Sequence, residues 1–268
     1  MRPVVLFDMD GTLTPVRKKI ESNVINSLID LSKYSDIGIV TGSGMDYLVD
    51  QCASLWDKST EFDPNMLSLF PCNGTKSYEW SSVSGSWNMT SCQNMSNHMG
   101  EESFRSLIKI LLKLQNNIAT SKKFEDVPMI GHFISYRGSM INWCPMGRDA
   151  NFTYRKDFVK IDKSKNIRSD LVSMLDSEMI DSKILKITAA LGGNTSIDIY
   201  PDGWDKTFSL NHVLSKNIWF VGDRCKPGEN DYELFKKIEK TSQAFETKST
   251  TDTIRIINEL IMPNLVLG

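Results

Sequence analysis

The sequence lacks the features that mark several common classes of protein. Its 31 lysines and arginines are outnumbered by 33 aspartates and glutamates, so no excess of positive charge draws the chain to nucleic acid or to an anionic membrane. It has no apolar run near the ~20 residues that a membrane-spanning helix needs. Internal repeats and long low-complexity tracts are also missing. We therefore expect a globular protein with neither nucleic acid nor a membrane among its partners, and 268 residues suit one large domain or two smaller ones.

Cysteine pairs and a secretion signal are missing too. The cysteines are odd in number, widely spaced and without a C-x-x-C pair; they are Cys52, Cys72, Cys92, Cys144 and Cys225. A disulfide framework or a zinc site is not expected, and a reducing compartment fits this pattern. The first residues read MRPVVLFDMDGTL, where a signal peptide would need more apolar length and a small-residue cleavage site. We interpret them as the first strand and expect a cytoplasmic protein.

Hydrophobic patterning in the first third of the chain predicts alternating strands and helices. Strands are predicted at 4–7 and 37–40, a helix that Ser22 can cap lies between them, and another helix starts at Met45. Such alternation is typical of a parallel sheet.

The middle of the chain has a different pattern. Residues 81–100 are rich in Ser, Asn and Gly and predict a linker or turn region. An apolar helix at 104–114 follows, and later a hairpin at Gly138-Ser139. The remaining predicted elements are strands near 130–137, 140–143, 184–190 and 196–200 and a helix near 167–179.

The last part of the chain returns to the α/β pattern. A helix is predicted after Trp204, a strand at 218–221, and helices near 232–238 and 253–261. The pattern predicts a discontinuous α/β core domain, residues 1–86 and 200–268. A small α+β cap domain, residues 87–199, is inserted into it.

The strongest chemical signal is the stretch DMDGTLT at residues 8–14, directly after the first predicted strand. Ligands of open parallel sheets bind where strands end at their carboxyl edge. There, Asp8 and Asp10 could act on one ligand, one carboxylate attacking a phosphoryl group and the other moving the proton. Gly11 allows a sharp turn and close backbone approach. The alternative is an acidic turn without chemistry.

A second acidic signal follows another predicted buried strand. WFVGD ends at Asp223, and PGEND ends at Asp231. Together with the first motif, these oxygens suit Mg²⁺, which prefers hard oxygen ligands. Such an ion would offset the repulsion between an anionic nucleophile and an anionic substrate. The alternative is a helix N-cap at Asn230 or Asp231.

Two weaker signals lie between these motifs. Thr41-Gly42-Ser43 follows the second predicted strand, and its hydroxyls could hold a phosphate oxygen, although most such stretches are only turns. Lys206 lies in PDGWDK and could be a fixed cation beside a transferring phosphoryl group. A single lysine is more often a solvated surface group.

These elements, in this order, resemble the haloacid-dehalogenase (HAD) superfamily, and longer stretches resemble its eukaryotic-type phosphomannomutases. The stretches are FDMDGTLTPVRKKI, NHMGEE, SYRGSMINWCPMGRD, TSIDIYPDGWDK and VGDRCKPGENDYELF. They follow the family's order and span most of the chain. The resemblance implies a HAD-like Rossmannoid core with a parallel sheet and an inserted α+β cap of the C2 type.

The resemblance also implies a role for each matching residue. Asp8 would be the nucleophile, Asp10 the general acid/base and Lys206 the fixed cation. The Mg²⁺ site would be formed by Asp8, Asp10 through its backbone carbonyl, Asp223 and Asp231. The substrate-binding residues would be Arg17, Ser43, Arg137, Arg148, Arg155, Ser196, Asp198 and Asn230. The planar forks of the cap arginines suit phosphate oxygens. Thr41 occupies the position of the hydroxyl in many other superfamily members, so the choice between Thr41 and Ser43 stays open.

The chain departs from the family's pattern at four places. The family's GGSD ends in Gly44 here, its ENG turn begins with Cys72, and its GGND carries Glu229. Lys237 stands where many members have an aspartate that helps to bind a second, structural cation. A lysine ammonium could replace that cation, or the second site could be absent.

The implied activity is the interconversion of mannose 6-phosphate and mannose 1-phosphate, with a hexose 1,6-bisphosphate as activator, which supplies mannose 1-phosphate for GDP-mannose synthesis. A HAD-type sugar-phosphate phosphatase, in which water attacks the aspartyl phosphate, is the first alternative. A sugar-phosphate binding protein without turnover is the second. The apolar helix at 104–114 packs on the cap's own sheet or, as in the family, forms a homodimer interface.

Overall fold

The computed structural model describes residues 1–184 and 186–267, which form two compact units. The first unit contains residues 1–92 and the described residues from 203 onward, and the second contains the described residues of 93–202. In the described chain the strands are β1 (Val4–Phe7), β2 (Asp36–Val40), β3 (Leu67–Phe70), β4 (Lys76–Ser81), β5 (Ser86–Cys92), β6 (Ile134–Tyr136), β7 (Ile141–Trp143), β8 (Ile187–Gly192), β9 (Ser196–Pro201), β10 (Ile218–Gly222) and β11 (Ala244–Glu246). The α-helices are α1 (Ser22–Ser32), α2 (Met45–Cys52), α3 (Met95–Met99), α4 (Glu101–Thr120), α5 (Phe152–Lys165), α6 (Ile167–Asp181), α7 (Tyr232–Glu239), α8 (Thr250–Arg255) and α9 (Met262–Leu267), with a π-helical segment, Ile256–Ile261, between the last two.

The first unit is built on a seven-stranded sheet in the order β11-β10-β1-β2-β3-β4-β5. The strands from β11 to β3 are parallel, and β4 and β5 extend the sheet antiparallel. Val5 and Phe7 of β1 enter one hydrophobic core and Leu6 enters the core on the other face. Because both faces are covered, β1 is apolar at every position, as is usual for a parallel strand. Its carboxyl end therefore delivers the next residue, Asp8, to the edge of the sheet.

Most elements predicted in this unit are confirmed, including the parallel sheet, but the predicted cap of the first helix is wrong. Helix α1 already begins at Ser22, so its N-cap is Glu21, which makes no capping hydrogen bond through its side chain. Ser22 lies one residue too late to accept the first free backbone N–H groups. The helix predicted after Trp204 is a 3-10 helix, Lys206–His212.

The predicted linker at 81–100 is also wrong. Strands β4 and β5 form an antiparallel hairpin across this region, and α3 follows. The rings of Trp80 and Trp87, opposite each other in the hairpin, meet edge-on with centroids 5.3 Å apart. Small polar residues facing solvent hide this strand pattern in the sequence. The compact units divide after residues 92 and 202, whereas the sequence analysis places the domain boundaries after 86 and 199.

The second unit contains an antiparallel sheet in the order β6-β7-β9-β8. One face is apolar and buried, with Ile141, Trp143, Ile197 and Ile199, and α6 packs against β8 and β9 while α4 packs on α6. Because strand side chains alternate between faces, Asn142, Ser196 and Asp198 lie on the opposite face.

The predicted apolar helix and the β6–β7 hairpin of the second unit are confirmed, and α4 is longer than predicted. The sequence analysis missed α5, because only two of its residues, Phe158 and Asp162, are buried. The strand predicted at 184–190 includes residue 185, which lies outside the described residues, and β8 begins at Ile187.

Two further findings concern the whole described chain. None of the five cysteines forms a disulfide, and Cys92 alone among them is exposed. No helix in residues 1–184 or 186–267 has the length and apolar character to cross a membrane.

Candidate active site

The carboxylates of the two sequence motifs meet at the carboxyl edge of the first sheet. β1 and β10 are parallel neighbours, and the backbone N–H of Asp8 donates a 2.9 Å hydrogen bond to the carbonyl of Val221. Asp223 follows β10 directly, so both acids leave the sheet at the same edge. Asp8 is only 4% exposed, which makes it a fixed group rather than a solvated one.

Lys206 is buried between two of these acids. Its Nζ donates to Oδ1 of Asp8 and to Oδ1 of Asp231, the latter at 2.5 Å, and the residue is 1% exposed. Burial would lower the pKa of this ammonium, but Asp231 and Asp8 raise it above its ordinary value. Lys206 is therefore a permanent cation at neutral pH, and the alternative of a solvated surface lysine does not apply.

A short turn fixes the backbone that carries Lys206. Asn73 Nδ2 donates to the carbonyl of Trp204 at 3.2 Å, and Asp205 caps the 3-10 helix through the N–H of Thr207. Gly74 has φ +82° and lies directly against Ser209. A Cβ added to Gly74 would be only 2.6 Å from backbone atoms of Ser209. The Asn and Gly of the Cys72–Gly74 turn thus have structural roles even though the family's acid is missing.

Asp231 is held on both of its oxygens. Oδ1 accepts from Lys206, and Oδ2 accepts from the backbone N–H of Arg224 at 3.0 Å. The residue is completely buried. Asp231 is thereby positioned to orient Lys206 and to add negative charge beside Asp223.

Three carboxylates lie close enough together to share a metal ion. Ligand oxygens of Asp8, Asp223 and Asp231 all lie within 4.8 Å of one another. Burial raises the pKa of Asp8 well above its usual range, and Asp231 and Asp223 add to that effect while Lys206 opposes it. Burial and the neighbouring Asp231 raise the pKa of Asp223 to about 7. One ammonium does not offset three carboxylates, and a set of hard oxygens with surplus negative charge fits Mg²⁺.

Gly11 fits closely against this cluster. Its φ is +91°, and a Cβ at this position would lie 2.3 Å from Oδ2 of Asp223. Glycine is required here both by the backbone conformation and by the contact.

Asp10 is oriented differently from Asp8. Its Oδ1 accepts from the backbone N–H of Arg17 at 2.9 Å and from the hydroxyl of Tyr47 at 3.2 Å. The carboxylate is not part of the cluster formed by the other three acids. The metal contact implied for Asp10 is through its backbone carbonyl, and that contact stays a prediction.

Thr41, Ser43 and Asn230, the other polar residues predicted for the first site, differ in their hydrogen bonding. The Thr41 hydroxyl accepts a hydrogen bond from the N–H of Ser43 at 3.1 Å, which is a local turn contact. This bond does not show whether Thr41 or Ser43 is the hydroxyl that would contact a phosphate oxygen. Asn230 Oδ1 is buried and finds no hydrogen-bond partner among the described residues, as expected of an acceptor left for a ligand or water.

Predicted substrate residues in the second unit form one network on the polar side of its sheet. Arg148 Nη1 donates to Oδ1 of Asn142, and Asn142 Nδ2 donates to Oδ1 of Asp198 at 2.6 Å. Arg155 Nη2 donates to the backbone carbonyl of Arg148 at 2.5 Å, and its Nη1 donates to Oγ1 of Thr195 at 2.9 Å. These hydrogen bonds join two guanidinium groups and one carboxylate in one network.

The other predicted residues of this unit lie beside the network. Ser196 Oγ donates to the carbonyl of Gly192 at 2.9 Å and still has acceptor capacity. Arg137 lies in the β6–β7 turn, where its N–H bonds the carbonyl of Met140.

The sequence analysis missed Tyr47 and Asn142. The sequence does contain a signal for Asn142, because it is a polar residue inside the apolar stretch MINW. In the structure it is only 2% exposed. Tyr47 has no such signal, since an aromatic residue in a short helix usually packs in the core.

Comparison with solved structures agrees with the fold described above. The chain aligns with the N-terminally truncated IMP-nucleotidase of Plasmodium falciparum at a TM-score of 0.65 and 13% identity, over 97% of this chain and 70% of that one. This likeness and the sheet order define the chain as a member of the haloacid-dehalogenase fold class.

Sequence comparison identifies the family within that fold class. The family model for eukaryotic phosphomannomutase matches residues 24–263. Phosphomannomutase of Saccharomyces cerevisiae is 34% identical over 264 residues, covering 96% of this chain and 93% of that protein. Human phosphomannomutase 1 is 32% identical over 265 residues, covering 98% and 93%. The chain belongs to the eukaryotic phosphomannomutase family and is an enzyme of that type, which confirms the resemblance seen in the sequence.

Proposed function

We propose that this enzyme interconverts mannose 6-phosphate and mannose 1-phosphate through an aspartyl phosphate formed on Asp8. The observation that carries the proposal is the burial of the Asp8 carboxylate against the Lys206 ammonium, next to two further acids. A nucleophile in such a place is shielded from water and stays beside a fixed positive charge. Membership of the family supports the choice of substrate.

Each side chain of the first site has a part in the proposed reaction. Asp8 takes a phosphoryl group from a hexose 1,6-bisphosphate and returns it to the free hydroxyl of a hexose monophosphate. Asp10 gives a proton to the leaving sugar oxygen in the first transfer and takes one in the second. Lys206 offsets charge on the moving phosphoryl group.

Magnesium fits the acidic cluster in this proposal. The carboxylates of Asp8, Asp223 and Asp231, with the backbone carbonyl of Asp10, would hold the ion. When bound, it would polarise phosphoryl oxygens and reduce the repulsion between the nucleophile and its substrate. Asn230 and the hydroxyl of Thr41 or Ser43 would contact the phosphoryl group.

The second unit would act as a cap that grips the phosphate not being transferred. Arg137, Arg148 and Arg155 are its candidate phosphate ligands, and Ser196 and Asp198 would contact the sugar. Arg17, in the first unit, is a further candidate ligand of the substrate. A separate grip is needed because the bisphosphate must turn around between the two transfers, so either phosphate has to fit either place. Exclusion of water would protect the aspartyl phosphate from hydrolysis.

We also propose a cellular setting for this activity. The enzyme would act in the cytoplasm and supply mannose 1-phosphate for GDP-mannose synthesis. It would form a homodimer through the second unit, where Leu112 on α4 is 57% exposed.

The test compares Asp8→Asn with wild type in the isomerisation of mannose 1-phosphate, with Mg²⁺ and glucose 1,6-bisphosphate. We expect at least about a 10³-fold loss of kcat, because an amide cannot accept the phosphoryl group. Asp50→Asn is the matched control, since Asp50 is an exposed acid on α2. An Asp8→Asn enzyme with full activity would refute the proposed nucleophile.

The alternative function is that of a sugar-phosphate phosphatase with the same nucleophile. It differs in letting water, rather than a sugar hydroxyl, attack the aspartyl phosphate. The same assay separates the two functions when free phosphate is measured alongside mannose 6-phosphate. Free phosphate as the main product, with no response to the bisphosphate, would establish the phosphatase and refute the mutase.

A further inference from the structure

Helix α2 is tied to the loop that follows the nucleophile. Tyr47 donates its hydroxyl hydrogen to Oδ1 of Asp10 at 3.2 Å. One turn later, Gln51 Oε1 accepts from the Thr14 hydroxyl at 2.9 Å, and the Gln51 carbonyl accepts from the N–H of Ile20. These bonds position the loop of residues 10–20 against one face of α2.

The hydrogen bonds to Asp10 are unevenly distributed over its two oxygens. Oδ1 receives both the Tyr47 hydroxyl and the N–H of Arg17, the latter at 2.9 Å. Oδ2 accepts no hydrogen bond from any described residue. Two donors on one oxygen fix the rotation of the carboxyl group and leave the other oxygen for a substrate hydroxyl.

Tyr47 is suited to be a lasting donor. Its ring packs against the main hydrophobic core of the first unit, so its hydroxyl has little freedom to move.

We infer that Tyr47 is a positioning residue for the proton transfer, holding Asp10 so that Oδ2 faces the sugar oxygen. The inference rests on the proposed function. In the first transfer, the bond between phosphorus and the sugar oxygen breaks and a bond between phosphorus and Asp8 forms. The proton on Asp10 moves to the sugar oxygen. Tyr47 touches neither substrate nor the phosphoryl group in this step and acts only through Asp10.

The test uses two phosphoryl donors that differ in their need for that proton. Glucose 1,6-bisphosphate releases a sugar alkoxide, which must be protonated as it leaves. Acetyl phosphate releases acetate, which leaves as a stable anion. Single-turnover phosphorylation of Asp8 by each donor is followed by acid quench and intact-mass spectrometry, in wild type, Tyr47→Phe and Tyr34→Phe. Tyr34, which follows α1, is 42% exposed and serves as the matched control.

We expect Tyr47→Phe to slow phosphorylation by the bisphosphate about tenfold, a part of the ~10²–10⁴-fold that a positioned acid contributes, and to leave the acetyl phosphate rate unchanged. Affinity for the bisphosphate should not change. Equal slowing with both donors would mean a structural defect and would overturn the inference, as would no slowing at all. A wild-type enzyme that neither donor phosphorylates would refute the proposed function itself, and this inference with it.

Discussion

The two units each carry a polar cluster, and the clusters differ in composition and burial. In the first unit, the carboxylates of Asp8, Asp223 and Asp231 lie close together with the ammonium of Lys206 and are mostly buried. In the second unit, hydrogen bonds join Arg148, Arg155 and Asp198 in one network of partly exposed groups. Buried carboxylates suit a cation, whereas guanidinium groups within reach of solvent suit an anion such as phosphate. The two clusters therefore favour ligands of opposite charge.

The largest expected effect comes from removing the ammonium of Lys206 from the acidic cluster. Lys206→Met leaves Asp8 and Asp231 buried without their partner, a change that costs about 3–5 kcal/mol of unfolding free energy for a buried pair. The kcat should also fall by about 10²–10³-fold, as when one preorganised charge is removed from an active site. Urea unfolding and the isomerisation assay measure the two effects.

The control for this variant is Lys33→Met, which breaks an exposed pair with Asp30. It should leave both stability and activity nearly unchanged, because exposed ion pairs contribute little. If the two variants behaved alike, the acidic cluster would not depend on Lys206 as the structure indicates.

A smaller effect should follow from crowding Asp223, a proposed metal ligand. Gly11→Ala places a methyl group against Asp223 and imposes a strained positive φ, which costs about 1–3 kcal/mol. We expect the Mg²⁺ concentration needed for half-maximal activity to rise about tenfold, the equivalent of about 1.4 kcal/mol. Magnesium titration of the activity measures this shift.

Gly85→Ala is the control that separates the effect of a strained positive φ from the effect of crowding Asp223. Gly85 also has a positive φ, +62°, but no atom lies within 4 Å of an added Cβ. This variant should lose stability without any change in magnesium dependence. A similar shift in both glycine variants would show that Gly11 does not act through Asp223.

The smallest effect is expected in the arginine cluster. Asn142→Ala removes the amide that joins Arg148 to Asp198, so both groups lose their fixed orientation. We expect KM for mannose 1-phosphate to rise about tenfold, or about 1.4 kcal/mol, with kcat changed less. Asn116→Ala, on the exposed side of α4, is the control. A fall in kcat at constant KM would place Asn142 in the chemical step instead.

Sequence patterns predicted those parts of the fold in which hydrophobic residues alternate regularly. β1 and β10 are continuous apolar runs, and α4 has a clear apolar face, so all three were found. The hairpin strand β5 was missed because its solvent-facing residues are small and polar, as in a loop. Helix α5 was missed because it buries too few apolar residues to show a period.

The same limit applies to the candidate site. Asp8 and Asp223 could be placed side by side from sequence because each follows a strand, and parallel strands end at one edge. Lys206 could be suspected but not located, since a 3-10 helix has no strong sequence signal. The contacts of Tyr47 with Asp10 and of Asn142 with Asp198 join residues that are 37 and 56 positions apart in the chain. No periodicity encodes such contacts.

The place of β1 in the sheet has a consequence for biosynthesis. This strand lies between β2 and β10, so one of its neighbours is not made until residue 222 leaves the ribosome. Domains fold as units during synthesis. Throughout most of translation, Asp8 therefore lacks its neighbours from the end of the chain. Its carboxylate gains these contacts only after Lys206, Asp223 and Asp231 have been made.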